Sequence, residues 1–81
     1  MVFIEYDPEA DALFIRLRDI SPGSVSGARA LDDRRFVHLD DHGTPVGVEF
    51  LGASQGLDLT GVPEAADIAA AVRAFPRLAA A

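Results

Sequence analysis

The chain has 81 residues, which is enough for one small domain. It contains no cysteine, and this excludes disulfide frameworks, thiolate zinc sites and cysteine nucleophiles. The 13 acidic residues outnumber the 7 basic ones, all arginine, for a formal net charge of -6. That balance argues against nucleic acid or an anionic membrane as a partner, because both attract clustered positive charge. The apolar stretches are too short to span a bilayer, so we expect a cytoplasmic protein.

The N-terminal segment alternates between apolar and polar residues and predicts a β-hairpin. Residues 7–11, Asp-Pro-Glu-Ala-Asp, supply the turn, because proline presets its own φ and aspartate tolerates tight turns. Pairing like faces of the two strands places Ile4 opposite Ile15 and Glu5 opposite Phe14.

Three further strands follow in the sequence. A loop at residues 19–27, rich in Ser, Gly and Pro, leads into a weak strand at about Ala28–Leu31. The next two strands are predicted at Arg35–Asp40 and Pro45–Leu51, where the alternation is clearer.

The last two strands are joined by a second hairpin turn at residues 41–44, in which Gly43 can take a positive φ. The register of this hairpin places Val48 opposite Val37 and Val46 opposite Leu39.

A C-terminal helix is predicted after a loop at residues 52–62. Pro63 suits the first turn of a helix, and Glu64 and Asp67 complement its dipole. Ile68, Val72 and Phe75 fall at i, i+4 and i+7, on one helical face.

Sorting the strand side chains by face predicts one apolar face and one mixed face. The apolar face, which must form the core, holds Val2, Ile4, Tyr6, Leu13, Ile15, Leu17, Val37, Leu39, Val46, Val48 and Phe50. The other face combines aromatic, charged and aliphatic residues: Phe3, Phe14, Phe36 and Leu51 with Glu5, Arg16, His38 and Glu49.

A comparison of areas predicts self-association. Five strands make a sheet about 24 Å wide and about 20 Å long, whereas one helix is about 10 Å across. A single short helix cannot cover the apolar face, and it leaves the aromatic residues behind the sheet uncovered. The alternative is a sheet that curls strongly on itself and so buries more of its surface than a flat sheet does; we favour self-association. We therefore predict an α+β, mainly-β domain: an antiparallel β-meander of four to five strands with one C-terminal helix, forming a homodimer.

The residues just described resemble a known family. The run from Tyr6 to Leu17 resembles the opening signature of the DUF2283 family of small prokaryotic proteins. The second half of that family's pattern is matched in order by Leu31-Asp32-Asp33, Val37, Leu39-Asp40, Gly43, Val46–Leu51 and Ala53-Ser54. This chain departs from the pattern at Arg34, where the family usually has glycine, and at His38, where it often has aspartate.

The resemblance implies an organisation and a class of partner. We expect residues 1–57 to form the DUF2283-like sheet region; the helix and tail at residues 58–81 lie outside the resemblance and are expected to pack on that region. The family has no assigned function, so the resemblance supplies no chemistry. Its members can be encoded beside small toxin-like or nuclease-like proteins, which implies an antitoxin-like role.

One cluster of residues suggests a metal site. His38, Asp40, Asp41 and His42 offer imidazole and carboxylate ligands for a divalent ion, whose bound water would act as a nucleophile. The same Asp-Asp-His-Gly run is also what a hairpin loop requires, and we favour that interpretation.

Two groups of carboxylates have alternative interpretations. Glu5 and Glu49 could perform acid–base work, although ion pairing with Arg16 is the simpler explanation. The acids of the first turn, Asp7 and Asp11, are expected to accept backbone amides that close the turn rather than to bind calcium.

These observations predict a non-catalytic protein without a cofactor, whose partners are itself and a basic protein. Exposed phenylalanines would anchor that partner and acidic charge would speed its encounter. The candidate interface residues are Phe3, Phe14, Arg16, Phe36, Glu49 and Leu51. The alternative is a metal-assisted hydrolase that uses His38, Asp40 and His42.

Overall fold

A computed structural model describes residues 3–19 and 25–73 of the chain. The described residues form five strands and two short helices: β1 (Phe3–Asp7), β2 (Ala12–Arg16), β3 (Val25–Ala30), β4 (Arg35–Asp40), β5 (Pro45–Leu51), a 3₁₀ turn (Ala53–Gln55) and α1 (Ala65–Val72). The prediction of a mainly-β antiparallel domain with one C-terminal helix is confirmed. Within these ranges no helix is long and apolar enough to cross a membrane.

The five strands form one sheet in the order β1-β2-β5-β4-β3, with every neighbouring pair antiparallel. The β3–β4–β5 segment is a meander, and the β1–β2 hairpin joins it through pairing of β2 with β5. This order leaves β1 and β3 as the two edges of the sheet.

The register follows the predicted pairing except at one hairpin. Ile4 lies opposite Ile15 and Val37 lies opposite Val48, as predicted. The expected pairing of Val46 with Leu39 is wrong, because the register shifts after His38 and Leu39 faces Pro45 instead.

The turn after β4 is held by Asp40, next to this register shift. Its Oδ1 accepts the backbone amides of His42 and Thr44, both at 2.9 Å, and Gly43 takes a φ of 77°. The carboxylate of Asp40 therefore closes the turn. The alternation of apolar and polar residues does not reveal such local hydrogen bonds.

The third strand differs from its prediction. It runs from Val25 to Ala30 instead of starting near Ala28, so part of the expected loop is strand. Its serine and glycine are poor strand formers, but an edge strand with a register shift near Val25 tolerates them.

The core lies on the inner face of the sheet, which we define as the face that carries Leu13, Ile15 and Val48. The buried apolar residues of the described ranges are Leu13, Ile15, Leu17, Val37, Val46, Val48, Phe50, Ala53, Val62 and Ile68. Ile4 and Tyr6 pack against this core from the edge. Among residues expected inside, Val2 and Phe75 lie outside the described residues.

The lid over the core consists of α1 and the segment at residues 52–62. Ile68 of α1 is fully buried, as the helical spacing predicted, and Val62 of the segment is also buried. The helix begins at Ala65, so Pro63 lies before its first turn. Glu64 precedes the helix with a φ of 57°, and its carboxylate accepts a 2.6 Å hydrogen bond from Arg18.

Arg35 connects the lid segment at residues 52–62 to the sheet. Its Nε donates to Asp32 at 2.9 Å, and its Nη1 donates to the backbone carbonyls of Asp58 and Thr60. The side chain is only 13% exposed, so these charge-assisted bonds are partly shielded from water. Arg35 therefore has a structural function in this protein.

We predict that Ile68→Ala lowers the free energy of unfolding by about 2–4 kcal/mol, because it opens a cavity between α1 and the sheet. Val25→Ala, at an apolar residue that is 40% exposed, should change it by less than about 0.5 kcal/mol. Urea denaturation of the wild-type protein and the two variants measures both changes in the free energy of unfolding. Equal stabilities for the two variants would mean that α1 does not seal the core.

Candidate functional site

The face of the sheet opposite the core, here called the outer face, gathers the predicted interface residues. One row of paired residues across the sheet is Phe3, Arg16, Gly47, His38 and Ala28. The next row is Glu5, Phe14, Glu49, Phe36 and Ala30. Leu51 lies opposite Ala12 in a third row. The structure therefore brings Phe3, Phe14, Arg16, Phe36, Glu49 and Leu51 onto one surface.

Phe14 is the central side chain of the outer face, and Gly47 makes room for it. A Cβ atom at Gly47 would lie 2.5 Å from Cζ of Phe14, so the end of the ring occupies space that any larger residue would force it to leave. The ring also meets His38 edge to face, with 5.1 Å between ring centroids. Phe14 is consequently half-buried rather than exposed.

The periphery of the outer face remains open to water. Phe3 is 42% exposed and Leu51 is 39% exposed. The guanidinium of Arg16 lies 4.9 Å from the ring centroid of Phe3, within cation–π range.

The two glutamates of the outer face flank Phe14 on opposite sides. Because Glu5 and Glu49 stand on strands two apart, about 10 Å of sheet separates them. Glu5 lies 3.6 Å from Nε of Arg16, and Glu49 lies 3.5 Å from Nε2 of His38. Arg16 is therefore close to Glu5, whereas the neighbour of Glu49 is His38. The expected ion pairing with Arg16 is found for Glu5 and not for Glu49.

A shallow depression of about 340 Å³ lies between these acids, lined by Glu5, Asp7, Ala12, Phe14 and Glu49 with Tyr6 and Leu13. This volume is at the lower end of small-ligand pockets, about 300–1,000 Å³. It suits one long side chain of a partner better than a bulky cofactor.

The proposed metal ligands do not gather at one point. His38 contacts Phe14 and Glu49 on the outer face, whereas the Asp40 carboxylate binds the turn amides. His42 is exposed in the turn beside Asp41. Across residues 3–19 and 25–73, no group of three His, Cys, Asp or Glu side chains could hold a metal ion.

The first turn contains an unexpected connection through Asp11. Asp7 accepts amides of the turn, as predicted, from Glu9 at 3.0 Å. Asp11 instead binds groups outside the turn: the Tyr6 hydroxyl at 2.7 Å and, 43 residues away, the amide of Ser54 at 2.9 Å and its hydroxyl at 2.7 Å. These bonds hold the pKa of Asp11 below its usual value, chiefly through the Ser54 hydroxyl.

Asp11 thereby locks the first hairpin to the end of β5. Its backbone carbonyl also accepts the amide of Ala53 at 3.0 Å. Sequence reasoning missed this contact, since no spacing rule relates residues 43 positions apart. The available signal was that Asp11 and Ser54 lie in two separate segments of the same family pattern.

The comparison with protein families gives one match. The family model described as "Protein of unknown function (DUF2283)" matches residues 4–54, more than half of the chain, and the chain belongs to this family. The matched range begins in β1 and ends at Ser54, so it includes the complete Asp11 connection and excludes α1. No curated protein and no solved structure matches the chain.

We predict that Gly47→Ala destabilises the protein by about 1–2 kcal/mol, because the Phe14 ring must turn away from the sheet. Gly27→Ala is the matched control, since a Cβ there meets no atom within 4 Å and its φ is compatible with alanine. It should be neutral or slightly stabilising. Chemical denaturation gives the two values, and a Gly47→Ala variant as stable as the control would contradict this packing.

The lowered pKa of Asp11 predicts an acid-sensitive contribution to stability. A carboxyl whose folded-state pKa lies below the unfolded value of 3.8 stabilises the fold above that pH, and the contribution disappears as the pH falls through the folded-state pKa. Asp11→Asn should therefore melt at lower temperature near neutral pH and lose less stability between about pH 4 and pH 2. Ser54→Ala, which removes one bond to the carboxylate, should fall between wild type and Asp11→Asn in melting scans over this range. An unchanged acid dependence in Asp11→Asn would refute the assignment.

Proposed function

We propose that this member of the DUF2283 family is a non-catalytic protein-binding module whose outer face docks a basic protein, in the manner of an antitoxin that binds its partner. The observation that carries the proposal is the row Glu5, Phe14, Glu49 and Phe36, in which carboxylates and aromatic rings alternate across four adjacent strands. Such a row offers charge and apolar area to the same partner surface.

Arginine or lysine side chains of the partner are the chemistry that this row would recognise. A guanidinium can bind a carboxylate and stack on an aromatic ring at once, which makes arginine a frequent interface anchor. Arg16 already shows such stacking within the chain, over Phe3. The net charge of -6 would also speed encounter with a cationic protein.

The acids of the outer face are available to a partner. Their separations from Arg16 and His38, 3.6 and 3.5 Å, are too long for good hydrogen bonds, and partly exposed ion pairs contribute little. A cationic side chain that enters the depression between Glu5 and Glu49 can therefore compete for either carboxylate. The half-buried rings would supply the apolar part of the contact.

The proposal is tested by affinity capture from the native host at endogenous level, followed by binding measurements with the purified captured protein. We expect a basic protein whose affinity falls at least about tenfold with Glu49→Arg, because like charges facing each other in an interface are unfavourable. Glu49→Gln should have a smaller effect. Binding should also weaken as ionic strength rises.

Asp67→Arg is the matched control, since it makes the same charge change on α1, on the other side of the sheet. It should alter the affinity by less than about twofold. Thermal melting verifies that each variant is folded. Capture of no basic protein, or equal losses of affinity at Glu49 and Asp67, would overturn the proposal.

A further inference from the structure

The edge strand β3 is the least covered element of the described structure. All six of its residues, Val25–Ala30, are exposed, including those on the inner face of the sheet. Helix α1 contacts the opposite edge of the sheet, at β1. Among residues 3–19 and 25–73, strand β3 pairs only with β4, and all of its side chains are exposed.

Few interactions compensate for the conformational entropy that such a strand loses when it becomes ordered. Fixing one residue in a single backbone conformation costs about 1–2 kcal/mol, and burial of side chains normally compensates. Strand β3 buries none of its side chains, so its pairing with β4 provides its stabilisation. No strand of the described ranges pairs with the edge of β3 that faces away from β4, and backbone N–H and C=O groups at such an edge can accept another strand.

The two edges of the sheet differ in charge and bulk. Strand β1 carries Glu5 and Asp7, so two copies of β1 side by side would bring like charges together. Strand β3, with the sequence VSGARA, has no acid, and four of its six side chains are no larger than serine. In a chain of net charge -6, β3 is the edge along which two copies approach with the least acidic repulsion.

We propose that β3 pairs antiparallel with β3 of a second copy, which joins two five-stranded sheets into one continuous sheet of ten strands. A second copy is favoured over a strand of the basic partner because β3 offers that partner no carboxylate. The acids that suit a basic protein lie on the outer face instead.

Symmetry fixes two properties of this dimer. Two identical strands pair antiparallel only about a two-fold axis perpendicular to the sheet, so one residue of β3 lies opposite its own copy. The same axis keeps both outer faces on one side of the joined sheet. The dimer therefore leaves Phe14 and Glu49 of both copies uncovered and presents them on a single wide surface.

The expected dimer is weak and depends on protein concentration. The register shift near Val25 leaves Gly27–Ala30 as the regular part of the strand, and so short a pairing buries little area. Sedimentation velocity should show a monomer at low concentration and a growing dimer fraction towards about 1 mM, in the range of weak contacts.

Single-cysteine variants locate the contact, because the chain has no cysteine of its own. Each residue from Ser26 to Ala30 is replaced in turn by cysteine, and disulfide-linked dimers are counted under mild oxidation. Residues facing each other across antiparallel strands have Cα atoms about 4.5–5.5 Å apart, within the range that a disulfide spans. We expect one position of β3 to link at least about tenfold faster than Ala66→Cys, an exposed control on α1, because pairing raises the local thiol concentration.

The proposal is overturned if the chain stays monomeric up to about 1 mM, or if no β3 position links faster than Ala66→Cys. Faster linking of Glu5→Cys than of every β3 variant also overturns it, since that result places the contact at β1. Binding of a basic protein is measured separately through Glu49, so a failure of β3 pairing and a failure of outer-face docking give different results.

Discussion

Pairing of β2 with β5 is the constraint on which the rest of the structure depends. It joins the N-terminal hairpin to the meander, and its register places Ile15 beside Val48 inside and Phe14 beside Glu49 outside. A slip of one residue would exchange the two faces, with the core side chains in water and the glutamate inside. Asp11 lies immediately before β2 and binds Ser54 just beyond β5, so its hydrogen bonds fix this register at the end of the pair.

The elements that could be predicted from the sequence are those whose signals are local. The turn after Asp7 and the turn at Gly43 each bring consecutive strands together, so alternation alone places Ile4 opposite Ile15. Pairing of β2 with β5 joins residues 31–39 positions apart, and several strand orders satisfy the same alternation. The connection from Asp11 to Ser54 is equally non-local, and only the shape of the folded sheet brings the two residues together.

The cover of the inner face shows a second limit of prediction. A single helix is too narrow for five strands, and the loop at residues 52–62 gives no periodic signal that it packs on the sheet. In the structure Val62 is buried with Ile68, and Arg35 holds the neighbouring backbone through two carbonyls. The lid is therefore wider than the helix, and the inner face needs a second copy less than its apolar area suggested. Within residues 3–19 and 25–73, the surfaces outside this lid are the outer face and strand β3.

These two uncovered surfaces differ in the chemistry that can cover them. The outer face combines aromatic rings with carboxylates, so a second acidic copy would bring Glu5 and Glu49 against like charges, whereas a basic protein would neutralise them. Strand β3 has the opposite character, with unpaired backbone groups, small side chains and no acid. Under the two proposals, charge assigns the two surfaces to different occupants, so self-association and the docking of a basic protein do not compete for the same surface. The same acidic charge opposes unlimited stacking of outer faces, which would otherwise be a hazard for a sheet that exposes phenylalanine.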